Sequence, residues 1–424
     1  MKRFFFSNAF FPFFSTMFLG AFNDNIFRYA LSIFIVYQCG YSAERASALT
    51  FAATALLMLP QFPFSPLAGE LADKYPQQKL FRWIKLVEII LMVATLGAFR
   101  LKNVPLLLIL LFFMGTQSAF FSPLKYAYIR RNTPEELVRG NAYVSAGTYL
   151  AILGGMMLGI ASIQGSHGTL LTGLILVVVA VAGYFSSRKI DTLPPADPDL
   201  KIHWDPLTGC RILLHDILRN KTLSKCMIGL SIFWMAGALY VSQLAGFCRH
   251  ILNAREELVI VFTLLFSIGV ALGACIAAVY HKYFNALRAI TPALLLMAFF
   301  TADLFFAATS WERNSETLIG LLEIIRIPRF WRVTADLILL AACGGFYFVP
   351  LSALMQKLAD ARALARVVAA NNILNAIAIT AGSILTGVLV SSHVISIEGV
   401  FLLIAGLNVC AACYLFPLRN TQKL

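Results

Sequence analysis

The chain has 424 residues, 59% of them hydrophobic and only 13% charged, with a mean hydropathy of +0.77 and a formal net charge of +13. Soluble globular domains carry about 25% charged residues, so this composition excludes a soluble enzyme or binding module and points to a lipid bilayer. The positive charge does not signal nucleic acid, because it is concentrated in the connections between apolar runs.

Twelve apolar runs reach spanning length, at 10–37, 46–68, 80–100, 104–130, 137–162, 168–187, 224–248, 257–281, 287–310, 331–356, 364–391 and 396–417. With the N-terminus in the cytoplasm, the 34 Lys and Arg divide into 23 on cytoplasmic segments, 9 on the other side and 2, Arg28 and Lys125, within spans. That bias obeys the positive-inside rule and predicts two cytoplasmic termini. The expected fold is an all-α membrane protein of twelve transmembrane helices in two six-helix bundles, 1–187 and 224–424, joined by a cytoplasmic linker with an amphipathic helix at 188–223. The opening MKRFFF imitates a signal peptide, but no small-residue cleavage site follows, so the first helix is expected to be retained. Eight cysteines show no CxxC spacing and no His partner at metal-ligand spacing; they read as small apolar fillers, with no metal and no cofactor implied. None of the six histidines belongs to a catalytic constellation, and no enzyme activity is expected.

Span 1 contains FLGAFNDNIFR, which sets Asn23, Asp24, Asn25 and Arg28 inside an apolar segment. A carboxylate or guanidinium at mid-membrane costs about 2.5 to 3.5 kcal/mol on insertion scales and is kept only with partners. Asp24 and Arg28 are four apart, so they share a helix face and could pair locally. The alternative is that this face lines a polar cavity, since intramembrane ionisable groups mark transport paths.

Span 2 carries Pro60, Pro63 and Pro66, which predict a bent helix. The loop that follows, GELADKYPQQK, offers three gating candidates: Gly69 for close helix packing, and Asp73 and Lys74 for hydrogen bonds and charge pairing. It resembles the signature between spans 2 and 3 of the major facilitator superfamily, with Pro76 in place of the second Gly and Gln77 in place of a basic residue. In span 3, Trp83 and Lys85 are expected at the cytoplasmic interface, Lys85 snorkelling, with Glu88 one turn deeper beside a neighbouring cation. Span 4 offers Gln117, then Pro123, expected to interrupt the helix beside Lys125. Lys125 could reach an anionic headgroup or snorkel to the cytoplasmic surface. Gly155 and Gly159 of span 5 have the small-xxx-small spacing of close helix packing.

The connection 186–225 begins with a Pro- and Asp-rich stretch, DTLPPADPDLK, and continues through 205–219 with apolar and basic residues at nearly helical spacing. It reads as a hinge followed by an interfacial helix. The second half echoes the first: His281-Lys282-Tyr283 matches Asp73-Lys74-Tyr75, Phe348-Val349-Pro350-Leu351 matches Phe121-Ser122-Pro123-Leu124, and Ala370-Asn371-Asn372 matches Arg139-Gly140-Asn141. In span 7, Tyr240 and Gln243 lie on a polar face without charge; in span 11, Asn371 and Asn375 put amides on one side. Asp303 and Asp336 fall near outer span ends, where interfacial solvation is expected. The loop 310–332 predicts a short surface helix, and Gly344-Gly345 with Pro350 predict a break in span 10.

Taken in order, FLGAFNDNIFR, PFSPLAGELADKYPQQKLFRWIKLVEI, FFSPLKYAYI, RGNAYVSAGTYLAIL, GGFYFVPLSALMQ and RVVAANNILNA resemble the lysophospholipid transporters of the major facilitator superfamily, from about Phe10 to Leu415. They are most like the transporter half of members fused to an acyltransferase and an acyl-ACP synthetase. No His-x4-Asp acyltransferase motif occurs, so acylation is expected from a separate acyltransferase/acyl-ACP synthetase. The resemblance implies inward flipping of lysophospholipids, chiefly lysophosphatidylethanolamine, across a bacterial inner membrane for reacylation, by alternating access. A monomer among membrane lipids is expected. By the same resemblance Asp24 is the acid of the FNDN motif and Lys125 the cation of the SPLKY motif, whereas stand-alone members carry an Arg in span 7 where this chain has Tyr240-Val241. A zwitterionic headgroup needs an acid and a base apart in one cavity, which Asp24 and Lys125 supply. The substrate candidates are therefore Asn23, Asp24, Asn25, Arg28, Gln117 and Lys125 in the first half and Tyr240, Gln243, Asn371 and Asn375 in the second. A proton-coupled carrier of a drug-like molecule or siderophore, and a non-transporting membrane scaffold or sensor, are the alternatives.

Overall fold

A computed structural model describes residues 5–7, 10–132, 137–202, 205, 208–211, 214, 219–283, 286–311, 317–359 and 364–420. The apolar runs fold as helices α1 (Phe11–Ile33), α2 (Ala43–Met58), α3 (Gln61–Lys74), α4 (Gln77–Arg100), α5 (Val104–Asn132), α6 (Leu137–Ser162), α7 (Gly168–Ser187), α8 (Lys221–Gly246), α9 (Glu257–Tyr283), α10 (Ile290–Thr309), α11 (Pro328–Leu358), α12 (Leu364–Ser391) and α13 (Gly399–Leu415). With α2 and α3 sharing one span, the described residues hold twelve membrane-length segments and no strand beyond one isolated bridge, Ala254 to Ile319. Nine of these segments are long and apolar enough to cross a bilayer on composition alone. Of the other three, α6 is apolar over the shorter stretch Ala146–Ser162, and α1 and α4 carry the ionisable residues of the site below.

The prolines act unequally. Span 2 is broken at Leu59 and Pro60, between α2 and α3, as its proline density predicts. The break expected at Pro123 does not occur, because α5 runs through it, and α11 likewise runs unbroken through Pro350 and Gly344-Gly345. A membrane helix keeps its course past proline where neighbours satisfy the freed carbonyl. Gly345 serves packing instead: a Cβ there would lie 2.0 Å from the Val270 carbonyl oxygen of α9.

The chain forms two compact units, Met1–Phe34 with Leu56–Arg211, and Ile35–Ala55 with Ile212–Leu424. In the first, α1 lies directly on α6. A Cβ on Gly155 would sit 2.5 Å from the Phe22 carbonyl oxygen, and one on Gly159 equally close to that of Ile26, so the predicted small-residue contact is made backbone to backbone. Gly69 differs, since nothing lies within 4 Å of a Cβ built there; close packing is not its role in this structure.

The Pro- and Asp-rich half of the connection is no free hinge. It is strapped along the first unit: Arg82 donates to the Arg188 carbonyl at 3.1 Å, the Leu193 amide to Gln78 Oε1 at 3.3 Å, and Arg131 to the Pro194 carbonyl at 2.6 Å. The Ala196 and Asp197 amides both donate to the Asp73 carbonyl, at 2.9 and 3.0 Å, and Lys74 Nζ reaches the Leu200 carbonyl at 2.9 Å. Cys210 is buried with its thiol on the Phe62 carbonyl at 3.0 Å, and desolvation pushes that thiol up to about 11. The interfacial helix expected over 205–219 lies largely outside the described residues, as do the side chains of His281-Lys282-Tyr283, Arg139 and Asn141.

In the second unit, a short helix does form in the loop after α10, at Leu321–Ile324, with Trp331 exposed beyond it. The two acids near this end are not simply solvated. Asp336 is only 5% exposed, and Asp303 takes two hydrogen bonds from Arg332, that from Nε at 2.9 Å. Their span ends are packed against one another, which replaces water with a guanidinium partner for Asp303.

Two outcomes check this packing. Gly159→Leu should lower thermal stability in detergent by about 1–3 kcal/mol through overpacking against α1, whereas Gly406→Leu, whose Cβ direction is open, should leave it nearly unchanged. In a chain retaining Cys210 as its single cysteine, maleimide labelling at neutral pH should be slow and should accelerate at least about tenfold when Lys74→Ala and Arg131→Ala release the strap.

Candidate functional site

The polar residues of span 1 fold into a buried network with α4 and α5. Its centre is Glu88, fully buried on α4. One carboxylate oxygen, Oε1, accepts from Asn23 Nδ2 at 3.0 Å; the other, Oε2, accepts from Lys85 Nζ at 2.6 Å and Gln117 Nε2 at 3.3 Å. Beside it, Ser118 donates to Asp24 Oδ2. Asn23, Asp24 and Gln117, singled out in the sequence on two different helices, are therefore brought together, and Lys85, Glu88 and Ser118 join them.

Lys85 is the main departure from expectation. It does not snorkel to the interface: it is completely buried, three residues before Glu88 on α4, with its ammonium 5.8 Å from the centroid of the Phe121 ring. Two glycines on other helices make its room. A Cβ on Gly20 of α1 would come within 2.8 Å of Nζ and one on Gly183 of α7 within 3.2 Å. Glu88 does find a neighbouring cation, as its depth predicted, and this is the reason: both charges are taken from water together. The i, i+3 spacing of Lys85 and Glu88 was the available signal for the pair.

The local pairing of Asp24 with Arg28 does not form. Asp24 turns to Ser118, while the Arg28 guanidinium lies 5.6 Å from the Tyr29 ring centroid. Asn25 donates to the Ala21 carbonyl at 2.7 Å, within its own helix. Lys125 is half-buried on α5, seven positions after Ser118; seven residues are nearly two turns, so the two share a face about 10 Å apart along the axis. Two buried oxygens of the network have no partner: Asn23 Oδ1 and Asp24 Oδ1. Unmatched acceptors this deep call for a donor, and the arrangement suits a cation that can donate hydrogen bonds.

The four candidates of the second half lie in the second unit. Tyr240 shares a hydrogen bond of 2.5 Å with Thr301, and Gln243, fully buried, accepts from Ser47 at 2.6 Å and donates to the Ile397 carbonyl at 3.2 Å. Asn375 accepts from Ser231 at 2.8 Å. Asn371 is buried with its Oδ1 unpartnered. Of these four, only Asn371 thus presents an open acceptor. The gating candidates Asp73 and Lys74 face the strap described above, through a carbonyl oxygen and Nζ respectively.

Breaking one side of the central pair should be costly. Lys85→Met should destabilise the protein by about 3–5 kcal/mol, because it strands the Glu88 charge, while Lys85→Met with Glu88→Gln should recover most of that loss. Thermal unfolding of the purified protein in detergent measures both.

The profile of the Major Facilitator Superfamily matches residues 13–325. The lysophospholipid transporter LplT of Enterobacter sp. (strain 638) is 26% identical over 340 residues, 74% of this chain and 77% of the relative; that of Serratia proteamaculans (strain 568) is 24% identical over 359 residues, 80% and 78%. Among solved structures, a bacterial homologue of the human lysosomal transporter Spinster, inward-facing and unoccupied, superposes with a TM-score of 0.70 at 15% identity, covering 98% of both chains. A D-xylose–proton symporter gives a TM-score of 0.71 at 12% identity, covering 98% and 99%. These likenesses fix the fold, and the matched profile fixes the family: the chain belongs to the Major Facilitator Superfamily of multi-pass membrane transporters, within which it is similar to the lysophospholipid transporters.

Proposed function

We propose that this transporter carries lysophospholipids, chiefly lysophosphatidylethanolamine, from the outer to the inner leaflet of a bacterial inner membrane. The halves 1–187 and 224–424 move by alternating access, both termini are cytoplasmic, and a separate acyltransferase/acyl-ACP synthetase reacylates the product. The observation that carries the reading is the pair of unpartnered acceptors Asn23 Oδ1 and Asp24 Oδ1 in an otherwise satisfied network. A primary ammonium offers three donors and a positive charge, which matches one carboxylate and one amide oxygen; a quaternary ammonium has no N–H to give. The phosphodiester of the same headgroup needs a cation some distance away. Lys125 stands on the face of α5 that carries Ser118, about 10 Å further along the helix axis, and is the cation assigned to the phosphodiester. The names of the relatives support the lipid class, and the apolar helices around the site suit a single acyl chain that must avoid water.

The test is leaflet-resolved movement of labelled lysophosphatidylethanolamine in proteoliposomes. Asp24→Asn should reduce it at least about tenfold, since a charged hydrogen-bond acceptor is lost, while the variant stays monodisperse and folded. Unchanged movement would remove Asp24 from the substrate path. Failure of the unsubstituted protein to move any lysolipid, with uptake of another solute driven by a proton gradient, would favour a proton-coupled solute carrier instead.

A further inference from the structure

The network contains an ion pair that the headgroup reading does not itself use. We infer that Lys85 and Glu88 are positioning residues that set the headgroup selectivity of the site, acting through the amides of Asn23 and Gln117; the inference rests on the function proposed above.

A carboxylate only accepts hydrogen bonds, whereas a side-chain amide has a donating and an accepting end. Glu88 takes the Nδ2 end of Asn23 at 3.0 Å and the Nε2 end of Gln117 at 3.3 Å. Both amides are thereby fixed with their nitrogens towards α4. For Asn23 the consequence is direct: Oδ1 points away from Glu88 and is the buried acceptor without a partner, in the residue next to the open Asp24 Oδ1. If the amide turned over, an NH2 group would face the arriving ammonium, and two donors repel. Glu88 therefore dictates that this wall of the site accepts, and an accepting wall distinguishes a primary ammonium from a quaternary one.

Lys85 keeps that arrangement in place. Its ammonium, 2.6 Å from Glu88, supplies the counter-charge without which a fully buried carboxylate would not be held among apolar helices. Gly20 and Gly183, on α1 and α7, leave the space into which the ammonium fits, so three helices fix the position of Glu88 beside a fourth group on α5. Neither Lys85 nor Glu88 touches the substrate in this account. They determine which end of each neighbouring amide does.

The experiment measures leaflet-resolved movement of lysophosphatidylethanolamine and lysophosphatidylcholine of the same acyl chain, in separate proteoliposome preparations, and takes the ratio of the two rates. The unsubstituted protein should favour the ethanolamine lipid. In the double variant Lys85→Met, Glu88→Gln the uncharged amide at 88 can donate as well as accept, Asn23 is free to turn, and the ratio should fall by about tenfold. A merely structural role would slow both lipids alike and leave the ratio unchanged, which would overturn the inference. Should the double variant not fold, Gly20→Ala carries the test: it keeps both charges and displaces the ammonium, because its Cβ would otherwise lie 2.8 Å from Nζ. A lowered ratio supports the inference and an unaltered one overturns it. If the unsubstituted protein moves neither lipid, or both equally, the headgroup reading itself fails and this inference falls with it.

Discussion

A charge can be kept inside a membrane bundle only if an opposite charge and enough hydrogen bonds go in with it, and here that condition is met by Lys85 and Glu88. The pair is fully buried on one helix, and Glu88 receives donors from three helices, α1, α4 and α5. Buried ion pairs add little net stability, because desolvation consumes most of the attraction. Their effect is on geometry: α1 is held so that Asn23 faces α4 and Asp24 faces α5. Polar contacts thus fix the side of α1 that faces α4 and α5.

Shape enters through glycine. On α6, Gly155 and Gly159 let α1 approach until side-chain carbons would collide with its carbonyl oxygens, and on α1 and α7, Gly20 and Gly183 surrender their side-chain volume to a lysine ammonium. In lipid there is no hydrophobic gain in bringing two helices together, so close van der Waals contact and internal hydrogen bonds are what hold them. The strap over 188–200 belongs to the same unit. Its carbonyl and amide groups are tied to Arg82, Gln78, Arg131, Asp73 and Lys74, so the signature stretch, expected as a loop but folded as the end of α3 and the start of α4 with only Tyr75 and Pro76 between, serves as a fastening.

Much of the architecture was legible in the sequence because hydropathy over about twenty residues reports a helix in lipid directly, and the FNDN stretch declared itself by its cost. Asn23, Asp24 and Gln117 could be named since polar residues in apolar runs stand out. What the one-dimensional pattern hid was depth and partnership. Lys85 sits near a span end, where a snorkelling lysine has the same sequence appearance, and only the missing side chains of Gly20 and Gly183, far off along the chain, show that it turns inward. Asp24 and Arg28 have ideal spacing for a local pair, yet Ser118 on another helix takes the aspartate. Pro123 and Pro350 looked like interruptions, but a proline's lost hydrogen bond does not reveal whether a neighbour will cover the carbonyl. The engagement of Tyr240, Gln243 and Asn375 with Thr301, Ser47, Ile397 and Ser231 was equally invisible, since each partner is distant in sequence.

The central claim is that the open oxygens of Asn23 and Asp24 receive a primary ammonium. Solid-state NMR distance measurement tests it most directly, using lysophosphatidylethanolamine labelled with 15N in its headgroup and protein labelled with 13C in aspartate carboxyls, reconstituted in bilayers. The account predicts dipolar coupling between the headgroup nitrogen and the Asp24 carboxyl carbon at about 3–4 Å, the separation set by a charge-assisted hydrogen bond, and its loss in Asp24→Asn. Coupling that is absent, or that survives the substitution, would contradict it.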